Sequence, residues 1–558
     1  MKRDLSELSN GTYDLLIVGA GIYGAAAAWD AVLRGLSVVL IDKGDFGGAT
    51  SSNSLKIVHG GLRYLQQLDL KRMRESIRER RTLMKIAPHL VHPLPCIMPT
   101  YGHLMKGKEI MRIAMWMNDL VSFDRNRLSD PEKRIPRGRI VSRDECLHLL
   151  PGFEKTNLNG GAVWYDAQMF NSERLLFSFV LSAYGAGARV ANYVKTTDFI
   201  MTGRQVRGVK ARDLLTGEEL DIQAKIVLNT SGGWVDNLLS RLNSSPPRQR
   251  FLLSTAMNLI INRKLVSDYA AGVNAEFEYT RPNGKIYRGT RVLFATPWRG
   301  YTIVGTYHRP YIGEPDEMHV TEKEIHDFLK EINSAFPGYS IQREDVVFFH
   351  KGFLPMDGVN SKTGEVELTK HYRIYDHSSE DGVDGLISVL GVKYTTARDV
   401  AERAVDFVFK KLNRRNPGST SHEKVLAGGE IGKFNEFLSE VRKENRDGLN
   451  NKIVRHLVYN YGSNYKHILE YRKENSEYGE TLPGSSEVLK AEVVHAVREE
   501  MAQKLSDVVL RRTDLGSAAP PLHNTLESCA LIMGKELGWD KKRIKKEIDE
   551  VKNIYSPV

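Results

Sequence analysis

SSNSLKIVHGGLRYL, residues 51 to 65, gathers hydroxyls, a lysine, a histidine, two glycines and an arginine within fifteen positions. Upstream, Gly19, Gly21 and Gly24 are spaced G-x-G-x-x-G, and Asp42 follows the third glycine by 18 residues. Such glycines serve phosphate: Gly19 permits a tight turn, Gly21 lets backbone approach a pyrophosphate, and Gly24 allows a helix to pack closely on a strand. A helix beginning there offers free N–H groups and the positive end of its dipole, while a carboxylate at Asp42 can accept from ribose hydroxyls. The chemistry is that of a dinucleotide site with a polar, cationic segment laid directly after it.

Elements able to hold these residues are legible around them. DLLIVGAGIYGAAAAWDAVLRGLSVVLIDK (14 to 43) parses as apolar strand, glycine turn, alanine-rich helix and second apolar strand, one βαβ unit. Ala224 to Asn229 leads into TSGGW (230 to 234), and LISVLGVKYTTARDVAERAV (386 to 405) again reads strand, glycine, helix, so Gly232 and Gly391 are expected in cofactor-facing turns. At 558 residues the chain should form two or three domains, and with 41% hydrophobic and 27% charged residues it lies in the globular range. Cys96, Cys146 and Cys529 form no C-x-x-C pair, so neither a disulfide framework nor a metal site is expected. MKRDLSELSNGTYD lacks the apolar centre of a secretory signal, and no stretch reads as a membrane span. The expected setting is cytoplasmic, free or peripheral on the inner face of the cytoplasmic membrane. A net charge of +10 favours an anionic partner without choosing among lipid, nucleic acid and phosphorylated substrate.

From about residue 14 to 550 the sequence resembles the FAD-dependent glycerol-3-phosphate dehydrogenases, a family of the D-amino-acid-oxidase-like flavoproteins. The blocks that carry the resemblance are ATSSNSLKIVHGGLRYL (49 to 65), NTSGGW (229 to 234), GVKYTTAR (391 to 398), and the C-terminal AEVVHAVREEMAQKLSDVVLRRTDLG (491 to 516) and ALIMGKELGW (530 to 539). It implies an α/β fold: a Rossmann-type FAD-binding domain, an antiparallel sheet over the substrate, and a C-terminal helical domain. It also implies a non-covalent FAD, lined by Thr50, Ser51, Ser52, Lys56, His59, Gly60, Gly232, Gly391, Lys393 and Thr395 besides Gly19, Gly21, Gly24 and Asp42. Arg63, Tyr64, Lys370, Lys393 and Thr395 would meet the substrate, with Arg63, Lys393 and His308 as catalytic candidates. The implied reaction oxidises sn-glycerol 3-phosphate to dihydroxyacetone phosphate by hydride transfer to flavin N5, with quinone or oxygen as the electron acceptor.

Departures from the family pattern cluster at the substrate. KGFLPM (351 to 356) places Leu354 where an arginine is expected, Met257 stands for a histidine in the covering sheet, and Lys370 replaces a second arginine. Leucine supplies no charge and lysine is a point charge without arginine's fork. Either Arg309, Lys351 or Lys370 restores the missing cation, or Leu354 and Met257 line a more apolar pocket for another polyol phosphate, an alcohol or an amine. His308 and His350 are the histidines available as bases.

The expected division is a cofactor domain in three parts (1–100, 161–250, 346–412), a helical insertion (101–160), a substrate sheet (251–345), a linker (413–424) and a helical domain (425–558). Residues 104 to 123 put Ile113, Trp116, Met117 and Leu120 at helical spacing near lysines, which suits either a membrane surface or a core. LKRMRESIRERRTLMK (70 to 85) would suit RNA in isolation but reads better as a solvated helix face, so nucleic acid is not an expected partner. A homodimer stays open.

Overall fold

The computed structural model describes residues 1–102, 107–153, 157–242, 250–280, 285–445 and 448–558. It opens with the expected unit: β1 (Thr12–Val18), the helix Ile22–Leu33 and β2 (Val38–Ile41). Alanines fill the buried face of that helix. A Cβ on Gly24 would lie 1.9 Å from the Gly19 carbonyl oxygen, so hydrogen alone fits between helix and turn.

The chain then shuttles between two sheets. β3 (Ile57–Val58), β4 (Val91–Tyr101), β5 (Arg139–Val141) and β6 (Leu158–Met169) build part of a second sheet. β7 (Arg189–Ala191), β8 (Val194–Thr202), β9 (Gln205–Asp213) and β10 (Glu219–Asn229) return to the first. β11 (Leu252–Ile261), β12 (Ala270–Thr280), β13 (Ile286–Trp298), β14 (Tyr301–Tyr311), β15 (Val346–Val359) and β16 (Val366–Leu368) complete the second, and β17 (Arg373–Asp376) and β18 (Leu386–Leu390) close the first. In the first sheet β1 runs parallel to β10 and β2, and β10 parallel to β18, so the glycine turn, TSGGW and GVKYTT all leave the same edge. Ligands of open α/β sheets bind at that edge.

Two expected boundaries move. β3, β4, most of β6, β15 and β16, read from the sequence as cofactor domain, belong to the second sheet, where β4 pairs with β6 and β15 with β11. Each finds its partner far along the chain, which local pattern does not reveal. Residues 413–424, expected as a linker, pack on the first domain: Arg414 pairs with Asp14 at 2.8 Å, and Ser419 and Ser421 donate to Asp30. The proline-bearing stretch SSPPRQR (244 to 250), at the expected boundary between cofactor domain and substrate sheet, lies outside the described residues except for Arg250. C-terminal helices from Phe434–Lys443 to Lys541–Ile554 form the last domain. Among the described residues no helix is long and apolar enough to cross a membrane.

The basic run 70–85 is not a solvated face. Its helix, Leu70–Ile86, buries Arg72 and Arg80, and pairs Arg74 and Arg81 with Asp124 and Arg78 with Asp399. These cations serve internal carboxylates.

Candidate active site

Between the sheets lies a cleft of about 2550 Å³. Ordinary small-ligand pockets hold about 300–1,000 Å³, so this one has room for a dinucleotide and a second small molecule. One end is the glycine turn. Gly19 adopts φ +102° and a Cβ there would meet Ser231 backbone at 2.8 Å, so the β1 and β10 turns touch. Thr230 donates its hydroxyl to the Gly19 carbonyl at 2.7 Å and fixes that contact. Asp42 accepts from the Ala20 N–H at 2.7 Å and the Gly44 N–H at 2.8 Å, and burial pushes its carboxyl up to about 6 despite those bonds. Asp42 faces the cleft and ties the glycine turn to the loop after β2. Ser51 accepts from Ile22 N–H at the helix start, and Thr50 accepts from Phe353 N–H at 2.9 Å, so this segment stitches the two sheets together.

Further along, Gly61 at φ +81° makes the turn that delivers Arg63 and Tyr64 on the short helix Leu62–Gln67. Tyr64 carries two cations over its ring, Arg72 at 4.1 Å and the Lys393 ammonium at 4.3 Å. Burial and the nearby Arg72 pull Lys393 down to about 8. Its loop is held by Tyr23, whose hydroxyl donates to the Lys393 carbonyl at 2.7 Å and accepts from the Val392 and Lys393 N–H groups. Gly391 is needed there, since a Cβ would strike the Tyr23 ring at 2.1 Å. Thr395 is buried at the cleft wall, just before the helix Ala397–Lys411. Gly232 adopts φ +60° with open space where a Cβ would point. His59 and His308 both line the cleft and are both driven down to about 4 by burial, with Lys393 the next influence on His59 and Arg291 on His308. Each is a neutral imidazole at physiological pH. His308 Nδ1 has no hydrogen-bond partner among the described residues.

Several expected site residues are elsewhere. Lys56 turns away from the cleft and is fully buried, donating to Glu173 at 2.6 Å and to Ser172 Oγ and the Ser52 carbonyl, both at 2.8 Å. Ser52 serves the same knot, its hydroxyl donating to the Gly47 carbonyl. Gly60 lies behind the wall, where a Cβ would sit 2.3 Å from Arg80, whose guanidinium pairs with Asp166. Gly24 works through packing alone.

Strand alternation settles the substrate wall. Met257 points with Leu259 and Ile261 into the core under the helix Glu322–Ala335, whereas its neighbours Ala256 and Asn258 line the cleft. The expectation that Met257 lines the pocket is thus corrected by one residue of register. Arg309 also faces that helix, beside Glu324 and Asp327, and Lys351 donates to the Met318 carbonyl, so neither supplies a cation to the cleft. His350 is buried between Trp298 and Phe348. Leu354 and the exposed Lys370 do line the cleft, with Arg63. Unread in the sequence were Tyr23, Asn258 and Thr306, the last donating its hydroxyl to Asn258 at 2.9 Å. An aromatic inside G-x-G-I-Y-G was the one available signal.

A glycine turn on a parallel sheet, opposed across a roomy cleft by a second, largely antiparallel sheet, with cations and neutral imidazoles lining the space between them, defines a dinucleotide-dependent oxidoreductase. Residues 14–392 match the family model described as FAD dependent oxidoreductase, and residues 419–544 match the C-terminal domain of alpha-glycerophosphate oxidase. The chain is 32% identical, over 98% of its length and 97% of the relative's, to the glycerol-3-phosphate dehydrogenase of Synechocystis sp.. It is 29% identical to the aerobic glycerol-3-phosphate dehydrogenase of Staphylococcus haemolyticus, covering 91% of this chain and 87% of that one. Its fold matches the crystal structure of the glycerol-3-phosphate dehydrogenase from Bacillus halodurans complexed with FAD, with TM-score 0.74, 26% identity, and 99% of this chain and 96% of that one covered. The chain therefore belongs to the FAD-dependent oxidoreductase family, in its glycerol-3-phosphate dehydrogenase branch. It is an FAD-dependent enzyme, and the Gly19–Gly24 turn, Asp42 and the open side of Gly232 are the features that fit the cofactor.

Proposed function

We propose that this enzyme oxidises sn-glycerol 3-phosphate to dihydroxyacetone phosphate and passes the electrons to an apolar acceptor at a membrane surface. One observation carries the substrate: Arg63, Lys393 and Lys370 line the same cleft that the glycine turn opens. FAD, when bound, supplies the hydride acceptor. The chain's own groups do the rest. Arg63 and Lys370 bind the phosphate dianion, to which Leu354 on β15 contributes no charge. Protonated Lys393 stabilises charge that develops on the substrate oxygen. Neutral His308 accepts the hydroxyl's hydrogen bond and then its proton.

The acceptor side rests on the helix Lys108–Val121. Its Ile110, Met111, Ile113, Ala114 and Met117 line the cleft, while Trp116 and Leu120 face outward, with Trp116 67% exposed. Phe123 and Leu68 add to that face at 70% and 74%. An apolar patch continuous with the wall of the cleft suits a lipid surface and a quinone held in it.

Anaerobic addition of sn-glycerol 3-phosphate, followed at the flavin absorbance band, tests the substrate. Rapid bleaching is expected. A flavin that stays oxidised, yet bleaches with an uncharged alcohol or an amine, would favour the second reading, which rests on Leu354 in the cleft.

A further inference from the structure

The last domain reaches the cleft as well. Lys504, Ser506 and Arg511 line it at the loop that follows β2 and Asp42. Their placement there is fixed by contacts. Arg511 donates Nε to Asp45 at 2.6 Å and Nη2 to Asp507 at 2.7 Å, and a Cβ on Gly48 would sit 3.9 Å from its guanidinium carbon. Arg512, fully buried, grips the same Asp45 carboxylate with two bonds of 2.8 Å. Adjacent residues of an α-helix point about 100° apart, so both reaching one carboxylate needs a local change. It is present: Val508–Arg512 form a π-helical turn, closed by the Thr513 N–H bonding to the Val508 carbonyl. Such turns recur at functional sites. Tyr193, on the other wall, donates to Asp507 at 2.6 Å, and Asn192 donates to Asp45 at 3.0 Å. The two arginines balance Asp45 and Asp507, and Lys504, which sits 5.8 Å from the Tyr193 ring centroid, adds an ammonium whose contact with Glu550 is long at 3.4 Å.

We propose that the C-terminal helical domain completes the nucleotide end of the FAD cleft, with Lys504 and Arg511 presenting cationic nitrogens to the adenosine diphosphate half of the cofactor. Cofactor retention then depends on a domain outside the dinucleotide fold. The π-turn has a double role, clamping the loop after β2 through Asp45 and aiming Arg511 along the cleft. A purely structural pair would not require Lys504 and Ser506 to border the same space.

The test is made on the full-length chain, stripped of flavin and titrated separately with FAD, ADP and FMN while tryptophan fluorescence is followed. Lys504→Ala removes a side chain that is 31% exposed and whose Glu550 contact is long at 3.4 Å, so the variant is expected to fold. It is expected to raise the Kd of both FAD and ADP about tenfold while leaving FMN within about twofold. Arg511→Lys, keeping the charge but losing the fork, is expected to weaken the same two ligands. Unchanged FAD and ADP affinity in Lys504→Ala, or an equal loss for FMN, would overturn the proposal. It rests on the cofactor and not on the substrate reading, so failure of glycerol 3-phosphate to bleach the flavin leaves it standing.

Discussion

Lys393 offers the sharpest check on how the site works. Burial first, and Arg72 second, hold its ammonium near a pKa of about 8, so the cation is lost as pH rises through that value. If the charge binds and stabilises substrate, catalysis must fall on the alkaline side. The protonated fraction drops from ~0.9 at pH 7 to ~0.1 at pH 9, so kcat/KM for sn-glycerol 3-phosphate should fall roughly tenfold over that interval. Arginine keeps its charge past pH 12 or so and can stack on Tyr64 as lysine does, so Lys393→Arg should flatten the limb while retaining activity at about pH 9. The measurement is stopped-flow flavin reduction under anaerobic conditions, from about pH 6.5 to 9.5. A rate that climbs through pH 8, with Lys393→Arg inactive, would make the neutral amine the base and refute the assignment of the proton to His308. A limb unchanged in Lys393→Arg would show that some other group titrates.

Three other outcomes are expected. Lys56→Met should cost about 3–5 kcal/mol in chemical denaturation, because it strands the buried Glu173 carboxylate, and adding Glu173→Leu should recover most of that loss; a variant of full stability with weakened FAD binding would return Lys56 to the cofactor. Leu354→Arg places a guanidinium on the cleft wall and should lower KM for sn-glycerol 3-phosphate about tenfold, whereas an unchanged KM would locate the phosphate away from β15. Trp116→Glu with Phe123→Glu should abolish co-sedimentation with anionic lipid vesicles and leave flavin reduction by substrate intact; continued sedimentation would move the docking face elsewhere.

Much of the cofactor end was written locally. Gly19, Gly21, Gly24 and Asp42 occupy one βαβ unit, where spacing fixes geometry because a few consecutive residues make the turn, the helix start and the second strand. Family likeness then carried the reading to Arg63, Tyr64, Lys393 and Thr395, all of which border the cleft. Direction along a strand was not legible: one residue of register separates Met257 in the core from Asn258 at the wall, and period-two alternation gives no sign of which face is outward until the partner strands are known. Nor could sequence show what each cation pairs with. Lys56 and Arg309 look like ligands in one dimension and Arg80 like a solvated cation, and their partners Glu173, Glu324 and Asp327, and Asp166, come to meet them only in the folded chain. Chemistry that depends on neighbours in sequence was determined by the residues alone. Chemistry that depends on burial and on carboxylates hundreds of positions away, as Asp45 is from Arg511 and Arg512, was decided by tertiary structure, because the cost of desolvating a charge is set by whatever surrounds it in space.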